Sequence, residues 1–223
     1  MNLNAQSVFV AGAFPTIDHS GTINSKLDYS LYYFAAFPLV NFSKPEVSKN
    51  SYFHLLYFEQ ALSYNVTNRF SLTGSYLYQR ENVVYNNYTN ENRFYIQAKY
   101  KHPIKKVNIT HRLRFDGKFV QNRLTRETPF THRVRYLIGM DTPINEKLYV
   151  TAYEEAFINT FENAGAFYGE NWAYTAVGKK LNEKNKIEAG ILYVTWNIGK
   201  QNWFNQYYFQ LTWISHLDFR KNS

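Results

Sequence analysis

The segment from Lys106 to Thr142 holds VNITHRLRFDGKF, a polar link, and FTHRVRYLIGMDT. In steps of two, Val107, Ile109, Leu113 and Phe115 share one face, while Asn108, Thr110, Arg112, Arg114 and Asp116 share the other. The second half repeats the pattern, with Val134, Tyr136, Ile138 and Met140 opposite Thr131, Arg133, Arg135 and Asp141. Period-two alternation predicts β-strands with two unlike faces. Arginines gathered on one face of adjacent strands need water or carboxylates and cannot lie against an apolar core. The charged face therefore looks into a polar interior and the apolar, aromatic face looks outward, as in a transmembrane β-barrel.

The rest of the chain divides in the same way. Ser7 to Phe14 is a short apolar run, a first strand or a segment lying against the wall, and Pro15 to Ser25 is rich in turn residues. Strands are expected over Lys26 to Val40, Tyr52 to Tyr64, Arg69 to Val84 and Glu91 to Lys101, with Phe94, Ile96 and Tyr100 outward and Arg93 inward. After the two arginine-rich strands come Leu148 to Asn159, Gly169 to Leu181, Lys186 to Asn197 and Gln206 to Phe219. The period breaks near Glu154-Glu155, where a bulge is expected. Links at Asn65, Pro103, Pro143 and Asn182 are short, and those after Val40, Asn86, Asn122, Thr160 and Gly199 are longer. Alternating link lengths and a count of about ten strands (or about twelve, if Ser7 to Phe14 joins the wall) fit an antiparallel up-and-down barrel of the bacterial outer membrane. The last strand, with Trp213 outward and Phe219 at its end, is expected to close onto the first and leave no free edge.

Composition sharpens this picture. Aromatic residues make up 19% of the 223-residue chain, with 20 Tyr and 18 Phe, which suits aromatic girdles at two membrane interfaces. Mean hydropathy is −0.47, as expected when half of every strand is polar. The absence of cysteine excludes disulfides and thiolate chemistry. The net charge of +8 is spread along alternating strands with no basic helix and no phosphate loop, which argues against nucleic acid and for an inward basic surface or anionic lipid headgroups. Leu3-Asn4-Ala5 followed by Gln6 looks like the tail of a signal peptide. Residues 1–5 are thus expected to be its remnant, 6–25 an N-terminal strand or segment, 26–219 the barrel and 220–223 a tail.

The segments HRLRF, HRVRYLIGMDTPI, LYVTAYEEAFIN, ENWAYTAVGKKLN, KNKIEAGILYVTW and NQYYFQLTW, in that order, resemble domain-of-unknown-function family 2490. The resemblance implies an outer-membrane barrel of a kind frequent in Bacteroidota, with no agreed activity, and would place a basic residue where this chain has Trp172. A C-terminal strand ending in an aromatic resembles the signal read by the barrel assembly machinery, here followed by Arg220 to Ser223.

Candidate chemistry centres on Arg93, Arg112, Arg114, Arg133 and Arg135, with Glu81, Glu91, Asp116, Asp141, Glu154 and Glu155 as partners. The planar guanidinium pairs carboxylates bidentately and stays charged when desolvated. Such a network plugs and braces a narrow barrel; the alternative is a charged constriction selecting small anions. Of the histidines, His111 and His132 lie on the apolar phase and His216-Leu217-Asp218 lies near the chain end, without the spacing of a hydrolase or zinc motif. No catalytic residue, metal or cofactor is assigned, and a lipid- or peptide-hydrolysing enzyme is the least favoured reading. The partners expected are outer-membrane lipid, other proteins of an outer-membrane assembly in which the chain is an accessory subunit, and the insertion machinery.

Overall fold

The structure is a computed structural model that describes residues 8–42, 53–161, 165–199 and 202–220. The alternation forms a single closed sheet of eleven strands: β1 (Val8–Thr22), β2 (Leu27–Asn41), β3 (Leu55–Asn65), β4 (Phe70–Glu81), β5 (Thr89–Ile104), β6 (Val107–Val120), β7 (Phe130–Pro143), β8 (Leu148–Phe161), β9 (Gly165–Lys180), β10 (Asn185–Gly199) and β11 (Asn202–Asp218). Each strand pairs antiparallel with its neighbours in the chain, and β1 closes the barrel parallel to β11. No helix occurs among the described residues.

The strand count corrects the expectation of about ten. Pro15 to Ser25 is not mainly turn: β1 runs on through Thr22, in register with β11 from Val8↔Phe204 to Thr22↔Asp218. Pro15 and two glycines obscure the strand in the sequence, and proline is tolerated only where its missing N–H is not needed. Accordingly, the pairs with β2 skip from Ala13↔Phe37 to Thr16↔Phe34. An odd count can close because the first and last strands run the same way, so no segment has to be split. The C-terminal strand closes the wall onto the first, β1, and Phe219 N–H donates to Thr22 O at 2.9 Å just past its end.

Short connections lie at 23–26, 66–69, 105–106, 144–147 and 181–184, all at one end of the barrel. Longer ones at 82–88 and 121–129 lie at the other. Of the link expected after Val40, residues 43–52 lie outside the described residues. The links expected over Thr160 to Gly169 and Gly199 to Asn205 are instead mostly strand, since β8 reaches Phe161, β9 begins at Gly165 and β11 begins at Asn202. The register shift expected near Glu154-Glu155 falls between Phe157 and Ile158.

The two faces sort as the alternation requires. On β7, Arg133, Arg135 and Leu137 are buried and Tyr136, Ile138 and Met140 exposed; on β6, Arg114 and Asp116 are buried and Leu113 and Phe115 exposed. Phe94, Ile96, Tyr100 and Trp213 also lie exposed on the outer surface. A second apolar set, however, lies inside. Phe14, Phe34, Tyr57, Leu77, Tyr174, Leu192, Val194 and Tyr208 form a buried cluster against which Tyr32, Tyr153, Trp172 and Trp196 pack. The lumen is thus filled partly by charge and partly by aromatic rings, which the expectation of a wholly polar interior did not include.

Close strand contact leaves little room at Gly190, where an added Cβ would meet Thr175 O at 2.2 Å and Ala176 Cα at 2.8 Å. At Gly74, on the outer face, nothing lies within 4 Å. Gly190→Ala is therefore expected to destabilise the barrel by about 1–3 kcal/mol through overpacking against backbone, and Gly74→Ala by nothing measurable. Thermal unfolding of the two variants followed side by side checks this.

Candidate functional site in the barrel lumen

The alternation of β3 and β5 to β9 directs charged side chains to one region of the interior. Asp116 of β6 is fully buried and faces three arginines. Its Oδ2 accepts from Arg133 Nε at 2.8 Å, with Arg93 Nη1 and Arg135 Nη1 each 3.7 Å away. Glu155 of β8 accepts a two-pronged bond from Arg135, Nε to Oε1 at 2.8 Å and Nη2 to Oε2 at 2.7 Å. Arg112 Nη2 reaches the same carboxylate at 2.7 Å. On the side toward the longer loops, Arg93 pairs with Glu91, and Arg133 Nη1 lies 3.3 Å from Glu170 Oε2.

The network crosses the lumen as well as running around the wall. Glu59 of β3 accepts from the hydroxyls of Tyr57 and Tyr95, both at 2.5 Å, and lies 3.5 Å from Arg114 Nη1 on β6. Arg114 also donates twice to Gln97 Oε1, at 3.0 and 2.8 Å, and lies 3.7 Å from the Tyr95 ring centroid. Arg133 and Arg135 stack over Phe157 at 4.7 and 4.3 Å. Trp172 joins the charged and aromatic parts: its Nε1 donates to Glu170 Oε1 at 2.5 Å, and its ring packs edge-on against Phe14 and Phe34. The position for which the resemblance implied a basic side chain does face the lumen, and an indole fills it.

The candidate network residues fall into three places. Arg93, Arg112, Arg114, Arg133, Arg135, Glu91, Asp116 and Glu155 form the interior cluster. Glu81 and Asp141 lie at opposite rims, bonded to Arg123 at 2.7 Å and to Asn108 at 2.8 Å. Glu154 is a correction. It is exposed on the outer face, in phase with the outward Ile158, and accepts from Asn171 Nδ2 at 3.1 Å. Adjacent strand residues point to opposite sides, so Glu154 and Glu155 cannot both enter the lumen. The sequence reading missed Glu59, Glu170, Tyr57, Tyr95 and Gln97; the shared period-two phase of Tyr57, Glu59 and Ala61 on β3 was the available signal for the first of these strands.

At the short-turn end the lumen opens into a cavity of about 410 Å³ lined by Asn108, Asp141, Tyr149, Lys180, Lys186 and Glu188. Tyr149 and Tyr174 donate to Glu188 there, at 2.8 and 3.2 Å. At the opposite end Arg126 bonds to the carbonyls of Asn86 and Tyr88, and Tyr88 lies under both Arg80 and Arg126, so the 82–88 and 121–129 loops are tied together. Histidines gather near the parallel seam. His19 bridges Ser215 Oγ at 2.7 Å and Tyr29 OH at 2.8 Å, and His216 meets Ser20 Oγ at 3.0 Å. These bonds cross from β1 to β11 and to β2 and hold the closure. His111 bonds to Tyr136 OH on the outer face and stacks on His102.

The profile of a family described as "Protein of unknown function (DUF2490)" matches residues 41–205, from the end of β2 into β11. The chain belongs to the DUF2490 family. No curated protein and no solved structure matches it. For this DUF2490 chain the matched region contains every strand that contributes to the charged cluster. β1 lies outside the match and supplies the closing strand of the wall.

Proposed function

We propose that this DUF2490 chain is an integral barrel of the bacterial outer membrane with a plugged lumen, serving as a structural or accessory subunit of an outer-membrane assembly. The observation that carries the reading is the inversion of the two faces. Around the wall, Phe94, Ile96, Leu113, Phe115, Ile138, Val177, Ile191, Leu211 and Trp213 are exposed, while Arg93, Arg114, Asp116, Arg135 and Glu155 are buried. A soluble barrel exposing such a continuous apolar surface would aggregate; acyl chains cover it at no cost. Closure of the sheet removes the unpaired edges that lipid would not tolerate.

The filled lumen supports a bracing role over transport, because ion pairs and stacked rings occupy the space a solute would need. Co-purification from native membranes in mild detergent tests the accessory reading. A stoichiometric outer-membrane partner is expected, and a lone heat-modifiable monomer contradicts the complex. Planar-bilayer recording is expected to show no steady conductance. Anion-selective openings abolished by Arg135→Leu would make the same arginines a constriction.

A further inference from the structure

Four of the five short turns share one construction. The segments Ile23-Asn24-Ser25-Lys26-Leu27, Val66-Thr67-Asn68-Arg69-Phe70, Ile144-Asn145-Glu146-Lys147-Leu148 and Leu181-Asn182-Glu183-Lys184-Asn185 each run aliphatic, Asn or Thr, a variable residue, a cation and the first residue of the next strand. In each, the aliphatic N–H donates to the carbonyl of that first strand residue, at 2.8, 3.0, 2.9 and 2.9 Å. The Asn or Thr oxygen accepts from the two backbone N–H groups two and three residues on. The bonds of one side chain thus hold every turn in the same shape and present its cation at the same place. The fifth turn, Ile104-Lys105-Lys106, is tighter, with Lys105 at φ 56°, and brings the same two residue types together.

The aliphatics do not turn inward. Ile23, Val66, Ile104, Ile144 and Leu181 are 40, 46, 54, 58 and 50% exposed, each in phase with the outward row of the strand it ends. The cations beside them are exposed, and among the described residues none of these six basic side chains is in an ion pair. Glu146 and Glu183 offset the charge at two turns, while Lys101, Lys179 and Lys180 add to it at the same rim. In water, a turn tip gains nothing from an exposed isoleucine. At a membrane surface the pairing has a use: the aliphatic enters the acyl region while the cation reaches up to the phosphates.

We infer that the short-turn end is a collar that seats the barrel on the phosphates of anionic glycerophospholipids, with one aliphatic-and-cation clamp at each turn. The inference rests on the membrane reading above and adds which lipid chemistry this rim selects. It also fixes this end at the phosphate plane of its leaflet.

The test is lipid association measured by spin-labelled phosphatidylglycerol and spin-labelled phosphatidylcholine, with the full chain folded into phosphatidylcholine vesicles. Phosphatidylglycerol is expected to associate about fivefold more strongly. The preference should fall towards parity in high salt, and in a Lys26→Gln, Arg69→Gln, Lys147→Gln, Lys184→Gln variant. The salt series on the unaltered chain decides the matter if that variant folds poorly. Insertion with equal association of the two lipids overturns the collar and leaves the membrane reading standing. Failure to insert into any vesicle overturns both.

Discussion

Asp116→Asn is expected to destabilise the barrel by about 3–5 kcal/mol, the cost of leaving buried charge without its partner. The substitution keeps the side-chain shape, so packing does not change. What is lost is the negative charge on which Arg93, Arg133 and Arg135 converge, at 3.7, 2.8 and 3.7 Å. These guanidiniums lie in a lumen closed by Phe157, Trp172 and the aromatic cluster, where solvent cannot replace the carboxylate. Asp141→Asn removes the same charge at a rim where the bond to Asn108 is exposed, and should change stability by less than about 0.5 kcal/mol. The temperature at which the folded, fast-migrating band disappears on a detergent gel compares the two. Equal effects would mean that the interior cluster does not depend on its charges.

The second large effect lies on the opposite face. Ile96 sits midway along β5, and its side chain is 68% exposed. On a soluble protein, replacing such a residue with arginine changes stability by less than about 0.5 kcal/mol. In a bilayer, the same change near the midplane costs about 2–4 kcal/mol. Ile96→Arg is therefore expected to refold poorly into vesicles, while an arginine at Leu124, 94% exposed in the 121–129 loop, is expected to be neutral. Comparing the two in vesicles and in detergent micelles isolates the bilayer contribution.

Much of this architecture was legible because period two is an unambiguous signal when one face carries charge. Arg112, Arg114, Arg133 and Arg135 fixed the inward phase of β6 and β7, and the tight links fixed the hairpins. The legibility failed where both phases are apolar. On β2, Phe34 and Ala36 point inward and Tyr33 and Leu39 outward, so alternation cannot show that the lumen has an aromatic part. It failed again on β1, where Pro15 broke a pattern that the pairing with β11 restores. What Glu59 pairs with was out of reach for another reason. Its partner Arg114 lies on a strand that is not its neighbour, and only the curvature of the closed sheet brings the two within 3.5 Å. The four matching turns were readable from sequence alone, and the sequential up-and-down strand order places them at one rim.

In a membrane-embedded barrel the apolar face meets lipid and the charged face does not. The chain has no cysteine, so single cysteines can be introduced along β7 at 134, 136, 137, 138 and 140, which leaves the buried arginines in place. Each carries a nitroxide in the vesicle-folded protein, and its collisions with oxygen and with a water-soluble nickel chelate are measured. Labels at 134, 136, 138 and 140 are expected to meet oxygen and not the chelate, and a label at the inward position 137 to meet neither. Free access of the chelate to the outward positions would contradict the account and make this a water-soluble barrel.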